Sequence, residues 1–69
     1  MYSVTRNGER LRKLRKIAKR SIKETAELLN ITEGAYGSYE RGTRNPPDEI
    51  KERLAMLYGM TVQALFFED

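Results

Sequence analysis

The sequence predicts an all-α fold of five short helices in one compact domain that spans residues 1–69. Apolar residues recur at intervals of three and four along most of the chain, the spacing that aligns them on one side of a helix. Residues that cap helices precede the apolar runs, and glycines follow several of them. No segment shows the apolar–polar alternation that is typical of a strand. We therefore expect a core made by helices alone.

The first helix is predicted between about residues 7 and 19. Its apolar residues form one stripe that leaves the basic residues on the other sides, namely Leu11, Leu14 and Ala18 with Ile17 adjacent. Ser21 is a good N-cap for a second helix, and Glu24 three residues later completes a capping box. The inward positions of this helix are predicted to be Ile22, Ala26 and Leu29. The Asn30-Ile31 step then breaks the apolar run.

A third, short helix is predicted from its cap at Thr32 to Arg41, with Gly42 in the position that helices favour for a left-handed stop. Two short helices joined by a brief turn, here Asn30-Ile31, form the helix-turn-helix motif, whose second helix enters the DNA major groove. Short turns occur in any small helical bundle, so the spacing alone does not establish the motif.

Two further helices are predicted after a polar loop over residues 43–46. Pro47 suits the first turn of the fourth helix, and Gly59 ends it. The apolar stripe of this helix consists of Ile50, Leu54, Leu57 and Tyr58. Thr61 is expected to cap a last short helix with Val62, Leu65 and Phe66 as its apolar residues.

The charge of the chain is concentrated near its N-terminus. Residues 1–20 contain eight basic side chains and one acidic one, which gives +7, whereas residues 21–69 contain five basic and nine acidic ones, which gives −4. This asymmetry suggests a polyanionic partner for the first helix, and a solvated helix surface is the ordinary alternative. The chain has no Cys and no His, so disulfides, thiolate metal sites and the usual general base are absent.

The central segment resembles the phage repressor and Cro-like (XRE-type) helix-turn-helix family. The resemblance rests on the runs Ser21-Ile22-Lys23-Glu24-Thr25-Ala26-Glu27-Leu28-Leu29-Asn30-Ile31-Thr32 and Tyr36-Gly37-Ser38-Tyr39-Glu40-Arg41-Gly42. It extends to residues 11–15, 44–46 and 58–65, and thus covers nearly the whole chain. It implies a lambda-repressor-like fold and a sequence-specific regulator of transcription, expected to be a repressor, that binds double-stranded DNA.

Three positions depart from the family pattern. Ile22 stands where many members carry a Gln that helps to fix the second helix against a phosphate, which puts that contact in doubt. Lys19 replaces a common Gly, and Thr25 occupies a position that is usually larger and apolar. These departures leave the predicted fold unchanged.

The third helix is predicted to read the DNA bases. At about 100° per residue, Ala35, Tyr36 and Tyr39 share the side that must be buried. The opposite side, to which the resemblance assigns base contact, carries Gly34, Gly37, Ser38 and Arg41, with Glu33 at its edge. Arg41 can pair with guanine or a phosphate, and Glu33 can accept from cytosine. The two glycines either let the helix sit close to the bases or are simply tolerated.

Contacts with DNA phosphates are expected from the rim of the motif. The start of the second helix has exposed backbone N–H groups that favour anions, and the resemblance places a backbone grip in the loop after the third helix. The expected phosphate contacts are Arg20, Ser21, Lys23, Thr43, Arg44 and Asn45. The other basic residues of the first helix, Arg6, Arg10, Arg12, Lys13 and Lys16, are expected to steer DNA and to supply one or two phosphate contacts at most.

The resemblance also pairs Arg15 with Glu40 as a structural ion pair between the first and third helices. At the C-terminus, Leu65, Phe66 and Phe67 exceed what so small a core can bury, and the prediction is a homodimer interface at this end. A two-fold dimer would bind an inverted repeat with half-sites about 34–36 Å apart. The alternative is that all three side chains close the base of the core.

A protein-interaction module on the same fold, as in antitoxins or antirepressors, is the alternative function. Its support is the sparse Gly34, Gly37 and Ser38 surface and the acidic balance after residue 20. Catalysis is not expected, because a catalytic centre would have to be built from carboxylates alone. No cofactor, metal or small-molecule ligand is predicted, and the lack of an apolar segment of about 20 residues favours a cytoplasmic protein. The acidic Glu68-Asp69 end is compatible with a complete protein and with a domain of a longer one.

Overall fold

The structure is a computed structural model that describes residues 3–67, and it confirms the all-α class with five helical segments. The segments are α1 (Val4–Ile17), α2 (Ile22–Leu29), α3 (Glu33–Arg41), α4 (Asp48–Leu57) and a short π-helical segment, α5 (Gln63–Phe67). α3 packs against both α1 and α2, while α4 contacts α2 and α5 contacts α1. The helix predicted to meet DNA is therefore held between the first two helices.

One hydrophobic core receives side chains from every helix. Its buried members are Leu11, Ala26, Leu29, Tyr36, Tyr39, Ile50, Leu54, Ala55, Leu65 and Phe66. Leu14 and Ile22 pack against this core while partly exposed. Ile17, in contrast, is 77% exposed, because it lies at the end of α1, outside the part that the other helices cover. None of the helices within residues 3–67 is long and apolar enough to cross a membrane.

The predicted caps are present as local hydrogen bonds. In the capping box of α2, the backbone N–H of Glu24 donates to Ser21 Oγ and the backbone N–H of Ser21 donates to Glu24 Oε1, both at 3.0 Å. Thr32 and Thr61 each accept from the backbone N–H three residues later, at 3.1 and 3.0 Å. Gly42 ends α3 in the left-handed conformation with φ of 74°. These bonds confirm the predicted starts of α2 and α3 and the predicted stop of α3.

The capping box makes the stability of the fold depend on pH. The Ser21 backbone N–H, and secondarily its hydroxyl, bind the charged carboxylate and lower the pKa of Glu24 from its ordinary value of 4.5. Stability from a lowered folded-state pKa is present above the unfolded-state value and is lost as the pH falls through the folded-state value. We therefore expect melting temperatures to fall on acidification below 4.5 and Glu24→Gln to show a weaker fall. Melting temperatures of the wild-type chain and of Glu24→Gln, measured over the same series of acidic pH values, test this. If the two proteins lose the same number of degrees on acidification, the prediction is contradicted.

Three helix boundaries differ from the prediction. α1 begins at Val4, three residues early, because Ser3 caps it by accepting from the backbone N–H of Arg6 at 3.2 Å. It ends at Ile17, before the predicted residue 19. Pro47 is the extended N-cap residue of α4, which begins one residue later at Asp48. All three shifts lie at helix ends, which fray and are the least sharply defined parts of a helix.

The turn between α1 and α2 holds Lys19 in the left-handed region, with φ of 58°. A side chain is strained there because its Cβ approaches the following carbonyl oxygen, whereas glycine is not. We expect Lys19→Gly to raise the free energy of unfolding by about 0.5–1 kcal/mol. Asn30 has the same φ of 58°, but asparagine tolerates this region, so Asn30→Gly is expected to gain less. Thermal melts of both variants compare the two gains, and an unchanged or lower Lys19→Gly midpoint would refute the assignment.

The C-terminal segment corrects the predicted dimer interface. Leu65 and Phe66 are each 1% exposed and fill the core of a single chain, so neither can contact a second copy; Phe67 is 39% exposed. The segment is held from α1 by Arg10, whose Nη1 donates to the carbonyl oxygens of Ala64 and Leu65 at 3.1 and 2.8 Å. Arg10 is thus a bracing residue of the fold, a role that its position among the basic residues of α1 did not reveal.

Candidate nucleic-acid interface

α3 is fixed by one side and leaves part of the other uncovered. Tyr36 is 0% and Tyr39 7% exposed, as predicted, and Ala35 is partly buried. On the outer side Glu33 and Gly34 are exposed, and a side chain added at Gly34 would meet nothing within 4 Å. The first turn of α3 therefore presents its backbone and one carboxylate to solvent. A DNA groove could approach this turn closely.

The prediction that Ser38 faces outward is wrong. Ser38 is only 4% exposed, and its Oγ donates to the carbonyl oxygen of Ala35 at 2.6 Å. The loop after α3 folds back over it, since the backbone N–H groups of Thr43 and Arg44 donate to the Ser38 carbonyl oxygen at 3.0 and 3.3 Å. Helical spacing could not show these contacts, because they come from the loop that follows α3.

Gly37 is also buried, for a different reason. A Cβ at this position would lie 3.0 Å from Nη1 and 3.9 Å from Cζ of Arg41. The guanidinium of the exposed Arg41 thus lies across the glycine, one helical turn back along α3. Both were predicted to contact bases directly, but in the structure one covers the other.

Some of the residues predicted to contact phosphates already make hydrogen bonds within the protein. Lys23, Arg44 and Asn45 are exposed, and Arg20 is partly exposed. The backbone N–H of Ser21 already donates to Glu24, and the hydroxyl of Thr43 donates to the carbonyl oxygen of Ser38 at 3.2 Å. The capping carboxylate therefore occupies the donor at Ser21 that was expected to attract an anion, and the exposed side chains remain as candidates for that contact.

The ion pair expected between α1 and α3 is present. Arg15 Nε donates to Glu40 Oε2 at 2.7 Å and Arg15 Nη2 donates to Oε1 at 3.2 Å, a two-pronged contact. The two side chains are 13% and 7% exposed. Arg15 Nη1 further donates to the carbonyl oxygen of Arg20 at 3.0 Å, and the hydrogen bond with Glu40 raises the pKa of Arg15. One guanidinium thus ties α1 to α3 and to the start of the helix-turn-helix.

A cleft of about 320 Å³ opens beside this ion pair, between α1, the start of α2 and α3. Its lining consists of Arg12, Arg15, Ile22, Gly37, Glu40 and Arg41. Arg12 was predicted only as one of several steering charges. Arg12 precedes Arg15 by three residues, so the two side chains lie on the same side of α1. Because Arg15 was expected to pair with Glu40 on α3, this spacing could have predicted that Arg12 also faces α3.

Comparison with known proteins places this arrangement among transcription regulators. The sequence profile of the family described as "Helix-turn-helix domain" matches residues 8–65. The HTH-type transcriptional regulator AnsR of Bacillus subtilis is 41% identical over 59 residues, which cover 86% of this chain and 51% of AnsR. The uncharacterized HTH-type transcriptional regulator YobD of the same organism is 39% identical over 54 residues, covering 78% and 48%. The chain thus spans about half the length of these two relatives.

The fold also matches a solved structure over most of its length. The restriction-modification controller protein C.AhdI from Aeromonas hydrophila superimposes with a TM-score of 0.83 at 30% sequence identity. The match covers 91% of this chain and 96% of that protein. The order and placement of the five helices are therefore shared with a protein of nearly the same extent.

Proposed function

We propose that this chain, which belongs to the helix-turn-helix domain family, binds double-stranded DNA with α3 in the major groove and thereby represses transcription. The observation that carries the proposal is the division of α3 into two sides. Buried Tyr36 and Tyr39 fix one side, while Glu33 and Gly34 on the other are exposed. A helix held in this way can enter a groove without giving up any core contact. The regulators named above support the same function.

The proposed contacts follow the exposure of each residue. Glu33 is assigned to base readout, since its carboxylate can accept from the amino group of cytosine, and Gly34 allows close approach of the helix backbone. Ser38 is withdrawn from the base-contacting set because it is buried. The phosphate contacts are assigned to the exposed or partly exposed side chains of the rim, Arg20, Lys23, Thr43, Arg44 and Asn45.

The proposal includes a homodimer on an inverted repeat, acting in the cytoplasm as one domain, without catalysis or a cofactor. Phe67, which is 39% exposed at the end of α5, is the apolar side chain assigned to the dimer contact. A two-fold dimer requires half-sites about one helical turn apart, roughly 34–36 Å. Sedimentation of the free chain and the half-site spacing of the selected DNA test this part.

Selection from random duplexes, followed by titration at several salt concentrations, tests the function. We expect enrichment of an inverted repeat, and log affinity that falls with log salt at a slope of about 0.9 per phosphate contacted. Weak binding at low salt without any enriched sequence would refute the proposal. The alternative function, a protein-interaction module, would then be favoured by the exposed apolar side chains of Leu28 and Met56, which are 57% and 83% exposed.

A further inference from the structure

We propose that Arg12 and Arg41 hold one phosphate of the DNA backbone between them in the cleft over Ile22. Gly37 is the positioning residue that admits Arg41 to this cleft. This inference rests on the proposed function and deepens it, because it assigns Arg41 to the backbone of DNA and not to a base edge. It also brings α1, the helix outside the helix-turn-helix, into the contact.

The charges that line the cleft favour an anion. Of its three arginines, Arg15 is neutralised by the carboxylate of Glu40 at 2.7 Å. Arg12 and Arg41 are exposed, and within residues 3–67 neither has a hydrogen-bond or ion-pair partner. Two guanidinium groups on one cleft can offer paired N–H donors to the oxygens of a single phosphate.

Ile22 explains why the phosphate needs these two arginines. It lines the cleft at the first residue of α2, where an apolar side chain offers no hydrogen bond. The backbone N–H of the preceding Ser21 is engaged by Glu24. The Ile22 side chain and the Ser21 N–H therefore offer nothing to the anion. The side chains of Arg12 on α1 and Arg41 on α3 are the cationic groups lining the cleft that are unpaired within the described residues.

Gly37 supplies the space that Arg41 uses. The guanidinium of Arg41 lies where the side chain of residue 37 would otherwise project, with Nη1 3.0 Å from an added Cβ. A contact this short is tighter than ordinary van der Waals contact, so a methyl group would make the guanidinium move by a few tenths of an ångström from its present position. The same glycine is buried under Arg41, and both line the cleft.

Salt-dependent titrations of Arg12→Ala, Arg41→Ala and the double variant test the shared phosphate. The DNA is the duplex that the wild-type chain selects, together with its single-base variants. We expect each single change to weaken binding about 10-fold, uniformly across these sequences, and the double variant to lower the salt slope by about one unit. If Arg41→Ala lowers the affinity only for sequences that keep one particular base pair, Arg41 contacts that base pair directly. If the salt slope of the double variant changes by about two units, the two arginines contact two separate phosphates. Either result would overturn the inference.

A double-mutant cycle tests the role of Gly37. Gly37→Ala should raise the melting temperature by several degrees, because alanine favours the helix, and yet lower DNA affinity about 3- to 10-fold. In the Arg41→Ala background the loss of affinity should disappear, since there is no guanidinium to displace. An undiminished loss in that background would mean that the methyl group meets DNA directly, and Gly37 would not be a positioning residue.

Two controls separate the possible failures. Lys19→Gln removes one charge from an exposed position in the turn after α1 that does not line the cleft, and should weaken binding less than 2-fold with an unchanged salt slope. A slope change equal to that of Arg12→Ala would show that net charge explains the effect. Inorganic phosphate at constant ionic strength probes the cleft itself, since a site for a backbone phosphate should also bind the free anion. Competition between phosphate and DNA that disappears in Arg12→Ala would support the inference. If the wild-type chain binds no DNA, the proposed function itself fails.

Discussion

Gly8→Ala is expected to lower the melting temperature of this fold by at least about 10 °C. A Cβ at Gly8 would lie 2.5 Å from the backbone carbonyl oxygens of both Tyr39 and Glu40. Because the obstacle is the backbone of α3 and not a mobile side chain, the two helices must separate to admit the methyl group. We expect a loss of about 2–3 kcal/mol, even after the better helix propensity of alanine is counted.

Gly34→Ala is the matched control for this prediction. It introduces the same methyl group into a helix, but at a position where nothing lies within 4 Å. Here only the helix propensity acts, so the melting temperature should rise by a few degrees, which corresponds to about 0.5–1 kcal/mol. Thermal melts followed by circular dichroism compare the two variants. If Gly8→Ala melts at or above the wild-type temperature, the close approach of α1 to α3 is not as described.

Arg15→Ala is expected to cost about 3 kcal/mol, which is most of the net stability of about 3–5 kcal/mol expected for so small a core. The substitution leaves the carboxylate of Glu40, whose side chain is 7% exposed, without its guanidinium partner. It also removes the hydrogen bond to the carbonyl oxygen of Arg20. Since the ion pair joins α1 to the far end of α3, DNA affinity should fall together with the melting temperature. Urea denaturation and DNA titration measure the two losses.

A double replacement keeps this prediction testable if Arg15→Ala does not fold. In Arg15→Met with Glu40→Leu, apolar side chains replace both charges, so no buried carboxylate remains unpaired and most of the stability should return. DNA binding should return with it if the pair only supports the fold. A stable double variant that no longer binds DNA would instead make Arg15 a direct DNA contact. Loss of binding by Arg15→Ala with an unchanged melting curve would lead to the same conclusion.

The helix order and most of the helix starts could be predicted because they depend on neighbours in the chain. The Ser21–Glu24 capping box and the caps at Thr32 and Thr61 each join residues three positions apart. The left-handed stop at Gly42 likewise needs only the absence of a side chain. The Arg15–Glu40 pair spans 25 residues and was expected only from the family resemblance, since no local rule links the two positions.

The outer surface of α3 shows where sequence reasoning ends. Helical spacing separated the buried tyrosines from the opposite side correctly. It also assigned Ser38 to the exposed side, although Ser38 is only 4% exposed and the loop that begins at Thr43 bonds to its carbonyl oxygen. It placed Gly37 and Arg41 together on the side that contacts bases, whereas in the structure the guanidinium of Arg41 lies over Gly37. A helix period states which residues share a side, but how much of that side is covered depends on what packs there.

The class of fold and the order of the five helices follow from local spacing and capping in the sequence. The segment assigned to DNA follows from these patterns together with the family resemblance. The packing of the helices adds that Gly8 is a point of close approach between α1 and α3, that Leu65 and Phe66 belong to the core of one chain, and that Arg12 and Arg41 line one cleft. Each of these depends on distances between residues far apart in the chain. Such distances are set by how the helices pack together, which no local pattern records.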